Sequence, residues 1–157
     1  MAVDKAVDEV LEFIWTEREM GFGSISKLLN NIEVIEAGAD AKTLEAMEKE
    51  GFIRLNGDAV SLTGAGERLA EAAIRRHRLA ERLLTEVLSV DSDALEKNAC
   101  NFEHTLTPAV ADSICTLLGH PPTCPHGLAI PKGLCCKKPA DELRPIVLPL
   151  SEVEIGE

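Results

Sequence analysis

The sequence predicts a mostly α-helical protein carrying one small β-hairpin wing: an N-terminal winged helix-turn-helix followed by a second, helical unit. Three observations lead to the helices and the hairpin. Apolar residues recur at helical spacing through most of the first 120 positions. Hydrophobic residues make up 45% of the chain but aromatics only 3%, and Tyr is absent, so the core is built of Leu, Ile, Val and Ala, which suits packed helices better than a β-sandwich. One short-range signal breaks the helical pattern: Asn56-Gly57 between FIRL and AVSLT, the strongest cue for a tight hairpin turn.

Taken in order, residues 3 to 20 place Val3, Val7, Val10, Leu11, Ile14 and Trp15 on one helical face. Glu9 and Glu12 sit three apart near the middle, where a solvated acidic face is the plain reading. GFGS ends this helix, and Ser24 is placed to cap the next. SISKLLNNI reads as a short helix, Glu36 to Ala39 as a turn, and Ala41 to Lys49 as a second helix with Leu44 and Met47 inward. Gly51 stops it, and the hairpin follows. Helix-turn-helix plus hairpin is the winged-helix arrangement, which reads DNA in some proteins and binds protein in others.

Gly64 and Gly66 break the pattern, and a long helix is expected from about Glu67 to Val90. Its apolar residues are too many for one stripe, which suggests that it packs both on its own core and on a second chain. Arg75, Arg76, Arg78 and Arg82 cluster there, solvated ion pairs being the default reading. Residues 91 to 119 give two further helices, the second opened by Thr107 as cap and Pro108 as first residue and closed by Gly119. HPPTCPHGLAIPKGLCCKKP is too rich in Pro, Gly and Cys for a long helix. The organisation is thus a winged-helix unit at 1–65, a helical unit at 66–120 and a Pro/Gly/Cys-rich connector and tail at 121–157.

Composition bounds the partners. The formal net charge is −11, which gives no electrostatic support for nucleic-acid binding. No run of apolar residues is long enough to span a membrane and no basic-then-apolar leader is present, so a cytoplasmic protein without membrane contact is expected. The five cysteines all lie between Cys100 and Cys136 with His nearby, a grouping that suggests metal binding or redox chemistry over a disulfide framework.

The richest chemistry lies between His77 and His104. His77 and Glu81 are spaced i, i+4; Cys100, Glu103 and His104 are spaced i, i+3, i+4. Each set falls on one helical face, and together they offer nitrogen, oxygen and sulfur donors from two helices. Each His taken singly is as well explained as an ordinary surface or core residue.

The order winged helix, RRHRLAERLL, ACNFEHTLTPAVAD, GHPPTCPHGLAIP resembles the diphtheria toxin repressor and manganese transport regulator family, the iron-dependent repressors, over nearly the whole chain. The resemblance implies a dimeric, cytoplasmic repressor of metal-homeostasis genes that binds double-stranded operator DNA when activated by Fe2+ or Mn2+. Its primary metal site would fall on Glu9, Cys100, Glu103 and His104. Glu12 and His77 join it in the manganese branch, and His77, Glu81 and Glu96 form the ancillary site of the iron branch. Glu96 stands where that branch has His. Glu9 leans towards manganese and Cys100 towards iron, so the metal stays open. DNA contacts would come from Ala39, Ala41, Lys42 and Thr43. This stretch departs from the family, with Asp40 facing phosphate and few polar groups for base edges. Residues 1 to 60 hold 6 Lys and Arg against 13 Asp and Glu, a net of −7. The second reading is therefore a dimeric metal-binding protein that acts through protein contacts with operator recognition weakened or lost. An enzyme is not expected: nothing resembles a substrate pocket.

Cys124, His126, Cys135 and Cys136 form a further candidate accessory site, for Zn2+ or an iron–sulfur cluster. The alternatives are a connector with reduced thiols, and Cys100 and Cys115 as small core residues. The tail RPIVLPLSEVEIGE resembles the opening of the SH3-like domain that many family members carry, and reads as a remnant of it.

Overall fold

The computed structural model describes residues 4–21 and 24–137. It divides into two compact units, Met1–Ile74 and Arg75 onward. The tail RPIVLPLSEVEIGE lies outside the described residues.

In the first unit, helix α1 (Lys5–Glu19) starts where the Asp4 carboxylate accepts from the Ala6 amide, and it buries Val10, Leu11 and Ile14. The expected single helix over SISKLLNNI is instead two: α2 (Ile25–Leu28) and α3 (Ile32–Glu36). The reason is local. The Asn31 side chain accepts from the amides of Glu33 and Val34, which starts a new helix at the point where an unbroken one would need Asn inside it. Helix α4 (Ala41–Lys49) has the expected bounds, with Leu44 and Met47 buried. Strands β1 (Ile53–Asn56) and β2 (Ala59–Leu62) pair antiparallel with Asn56 opposite Ala59. The two turn residues are therefore Gly57 and Asp58, one place later than the sequence suggested, and Gly57 takes the left-handed backbone the turn needs (φ +61°). Apolar residues from α1 to α4, both strands and Ala70 form one core.

Helix α5 (Gly64–Glu86) begins earlier than expected, and Gly64 and Gly66 lie inside it. Gly66 is there for close approach: a Cβ on it would stand 1.9 Å from the Phe52 carbonyl oxygen.

In the second unit, α5 residues Leu79, Ala80 and Leu84 pack with Leu95 and Ala99 of α6 (Ser92–Glu103) and with Ala111, Ile114 and Cys115 of α7 (Pro108–Leu117). Thr107 caps α7 by accepting from the Val110 amide, with Pro108 first in the helix. Beyond α7 the chain runs without long elements, apart from an isolated bridge between Thr123 and Ala129 and a 3-10 turn, Leu134–Lys137. Arginines of α5 hold this segment: Arg75 donates to the Pro131 carbonyl, Arg78 to that of Ala129, and Arg82 to that of Thr123. Arg75 also pairs with Asp112, and Arg82 with Glu86. Arg75, Arg78 and Arg82 thus bind the chain's own backbone, and Arg75 and Arg82 also form the ion pairs that the sequence suggested. No described helix is long and apolar enough to cross a membrane.

Candidate metal centre

Glu103 is the centre of the site. It is the last residue of α6, fully buried at 0% exposure, and neither carboxylate oxygen has a partner in hydrogen-bonding geometry. Yet His77 Nδ1 approaches Oε2 to 2.8 Å and His104 Nε2 approaches Oε1 to 3.6 Å. Short approach without an aligned N–H means that lone pairs converge, as they do around a cation. Leaving a buried carboxylate unsatisfied is otherwise costly. Cys100, one turn earlier on α6, brings its sulfur to within 4.8 Å of ligand atoms on Glu103 and His104. The i, i+3, i+4 spacing therefore does gather these three donors.

His77 Nε2 faces a second carboxylate pair, 3.3 Å from Glu96 and 3.9 Å from Glu81. The His77 imidazole, by its hydrogen bond to Glu96, holds that carboxyl below the ordinary range even though the side chain is 55% exposed. Glu81 is buried, and its Oε1 lies 2.7 Å from His126 Nδ1. Cys124, buried in the same loop, closes a third donor group with Glu81 and His126.

The proposed accessory set of Cys124, His126, Cys135 and Cys136 is not one cluster. The Thr123–Ala129 bridge folds Cys124 and His126 back towards Glu81 on α5. The 3-10 turn carries Cys135 and Cys136 to Cys115 and His120 at the end of α7. His120 was not anticipated, and Cys115 was read only as a core residue. The signal was present: His120 follows Cys115 by five, just past the helix-ending Gly119. Burial first, and the Asp112 carboxylate next, push the Cys135 thiol up to about 12.

Glu9 and Glu12 belong to the first unit, on the buried side of α1. Among the expected DNA contacts, Ala39 is a core residue and cannot meet a base edge. Thr43 is half-buried, and its hydroxyl accepts from the Asp40 amide while Asp40 caps α4 by accepting from Lys42 and Thr43. Ala41 and Lys42 are exposed at the helix start.

A winged helix joined to a helical unit with carboxylate, imidazole and thiolate groups of this kind is the build of metal-dependent transcriptional regulators, and the chain resembles their diphtheria toxin repressor and manganese regulator family. Residues 63–132 match the family described as iron dependent repressor, metal binding and dimerisation domain. The chain is 38% identical over 92 residues to the iron-dependent repressor IdeR of Mycobacterium tuberculosis, a match covering 58% of this chain and 40% of the relative. It is 35% identical over 118 residues to the diphtheria toxin repressor of Corynebacterium glutamicum, covering 71% of this chain and 52% of the relative. The chain thus spans about half or less of the length of these relatives. A solved manganese-dependent transcriptional repressor in complex with manganese superposes with a TM-score of 0.70 at 30% identity, covering 80% of this chain and 58% of that one. All three are named as repressors, and none as an enzyme.

Proposed function

We propose that this chain is a homodimeric, cytoplasmic, metal-dependent transcriptional repressor of metal-homeostasis genes, activated by Fe2+ or Mn2+. The observation that carries the proposal is Glu103: a wholly buried carboxylate with two imidazoles turned towards it and no aligned hydrogen bond. Cys100, Glu103, His104 and His77 are the central ligands. His77, Glu81 and Glu96 are the ancillary ones, with Cys124 and His126 as a further pair on Glu81. The family resemblance adds Glu9 and Glu12 of α1 as ligands. Carboxylate and imidazole suit Mn2+, and the thiolate of Cys100 shifts preference towards Fe2+. Metal binding favours the DNA-competent conformer by its higher affinity for that state.

Of the expected DNA contacts, Ala41 and Lys42 are the two that are exposed. One observation favours a second reading, metal binding with weakened operator recognition: Asp40 stands at the start of α4, in a first 60 residues of net charge −7. The discriminating measurement is a gel shift on the chain's own upstream DNA with and without Mn2+ or Fe2+, at two salt concentrations. The first reading expects metal-dependent retardation that fades steeply with salt. Metal uptake with no retardation at low salt would select the second. Equal DNA affinity with and without metal would remove the first.

A further inference from the structure

We infer that Cys115, His120, Cys135 and Cys136 form a structural Zn2+ site, separate from the sensing ligands and sharing no residue with them. The four ligand atoms all lie within 4.8 Å of one another. Cys115 Sγ is 3.6 Å from Cys136 Sγ, and Cys135 Sγ is 3.7 Å from Cys136 Sγ. His120 Nδ1 is 3.4 Å from Cys115 Sγ and 3.5 Å from Cys136 Sγ. A tetrahedral zinc with bonds of about 2.3 Å to sulfur and about 2.0 Å to nitrogen has S···S edges of about 3.8 Å and S···N edges of about 3.5 Å. The four measured edges match that polyhedron. Sulfurs bound to different irons of a cluster would be spread by the metal–metal distance as well, so a single ion fits better than an iron–sulfur cluster.

The backbone is arranged to deliver these atoms. Gly119 and His120 both take positive φ, +73° and +57°, and the His120 amide donates to the Cys115 carbonyl, which turns the imidazole back over the last turn of α7. A left-handed conformation is costly for a residue other than glycine and marks positions fixed for a purpose. His120 Nδ1 points into the cluster between the sulfurs of Cys115 and Cys136, and Nε2 is buried with no hydrogen-bond partner among the described residues. Cys135 and Cys136 are adjacent, and the 3-10 turn brings both sulfurs to the same side.

A buried cation also lies beside the site. Zinc with three thiolates and a neutral imidazole carries −1. The Asp112 carboxylate beside it adds another −1, and the Arg75 guanidinium, which donates to Cys135 Sγ at 3.1 Å and to Asp112 Oδ1 at 2.8 Å, offsets one of the two and stands between them. Cys135 Sγ is 3.2 Å from Asp112 Oδ1. Binding replaces three thiol protons, which leave to solvent, by one ion. Gly133 leaves room for the Arg75–Asp112 pair: a Cβ there would stand 2.5 Å from both Arg75 Nη2 and Asp112 Oδ1, and those side chains would have to shift. The ion ties the 3-10 turn to the end of α7. It therefore encloses the loop 121–134, which presents Cys124 and His126 to Glu81.

The test uses the full chain with the sensing site disabled by Glu103→Ala and His104→Ala, purified under reducing conditions. The expected result is one zinc per chain, retained through dialysis against EDTA and released by a thiol-modifying mercurial. Cobalt substitution should give the intense visible bands of a tetrahedral, sulfur-rich site. Cys136→Ser should lose that ion and its spectrum, whereas His120→Cys, which keeps four donors, should retain it. If Cys136→Ser fails to fold, the cobalt spectrum of the unmodified cluster and the His120→Cys chain still decide the matter. Absence of zinc from the reduced protein, an octahedral cobalt spectrum, or a Cys115–Cys136 disulfide in freshly isolated protein would each overturn the assignment.

Discussion

At the scale of single residues, two positions concentrate the physics. Glu103 gathers imidazoles without hydrogen bonds, so its replacement should be felt in metal affinity before stability. Loss of even an outer-shell partner of a metal ligand costs about 10–100-fold in affinity, and loss of a ligand should cost at least as much. Glu103→Ala is therefore expected to weaken Mn2+ binding by about 100-fold in calorimetry, and to abolish metal-dependent DNA retardation, with the helical circular dichroism preserved. Gly66 is the opposite case. A methyl group there collides with a backbone carbonyl that cannot rotate away, so Gly66→Ala should destabilise the first unit by about 1–3 kcal/mol in urea unfolding, the usual range for overpacking. The sequence showed both residues but ranked them differently. Glu103 was legible because helical spacing placed it with Cys100 and His104. Gly66 was misread as a helix breaker, because composition reports missing side chains and not what approaches the space they leave.

At the scale of elements, capping and turn chemistry decide what periodicity cannot. Helix α4 was legible from its inward Leu44 and Met47, and α7 from Thr107 and Pro108 at its start. The α2–α3 break was not, because it depends on which way the Asn31 amide turns. The wing is tied to α2 by Asp58, whose carboxylate accepts from the hydroxyls of Ser24 and Ser26 and from the Ser26 amide. These hydrogen bonds, Ser24 first, hold the Asp58 carboxyl below its ordinary value of 3.8. A depressed folded pKa contributes stability that is present above 3.8 and is lost as pH falls through the folded value. The stability difference between the native chain and Asp58→Asn should thus be constant near neutrality and shrink on acidification below 3.8, measured by urea unfolding across the pH range. A difference that does not change with pH would remove Asp58 from the wing's anchoring.

At the scale of the molecule, the chain divides into two compact units, and only the second carried candidate ligands at explicit helical spacing in the sequence. Local spacing exposed the candidate ligands on α5 and α6. It could not pair Cys115 and His120 with Cys135 and Cys136, because that pairing is made by the path of a Pro/Gly-rich segment with no period to read. The same path brings His126 to Glu81. Glu81 Oε1 thereby faces His126 at 2.7 Å and His77 at 3.9 Å. One oxygen atom cannot serve two separate cations as though each were alone. Either it bridges them, and the first ion prepares the second, or it must be surrendered by one for the other to bind. In both cases the occupancies are linked by a coupling free energy that is the same in either direction. A Mn2+ titration should consequently depart from a simple hyperbola, and Glu81→Gln should lessen the departure. The carboxylate of Glu81 would then set how abruptly the chain responds as the metal supply rises.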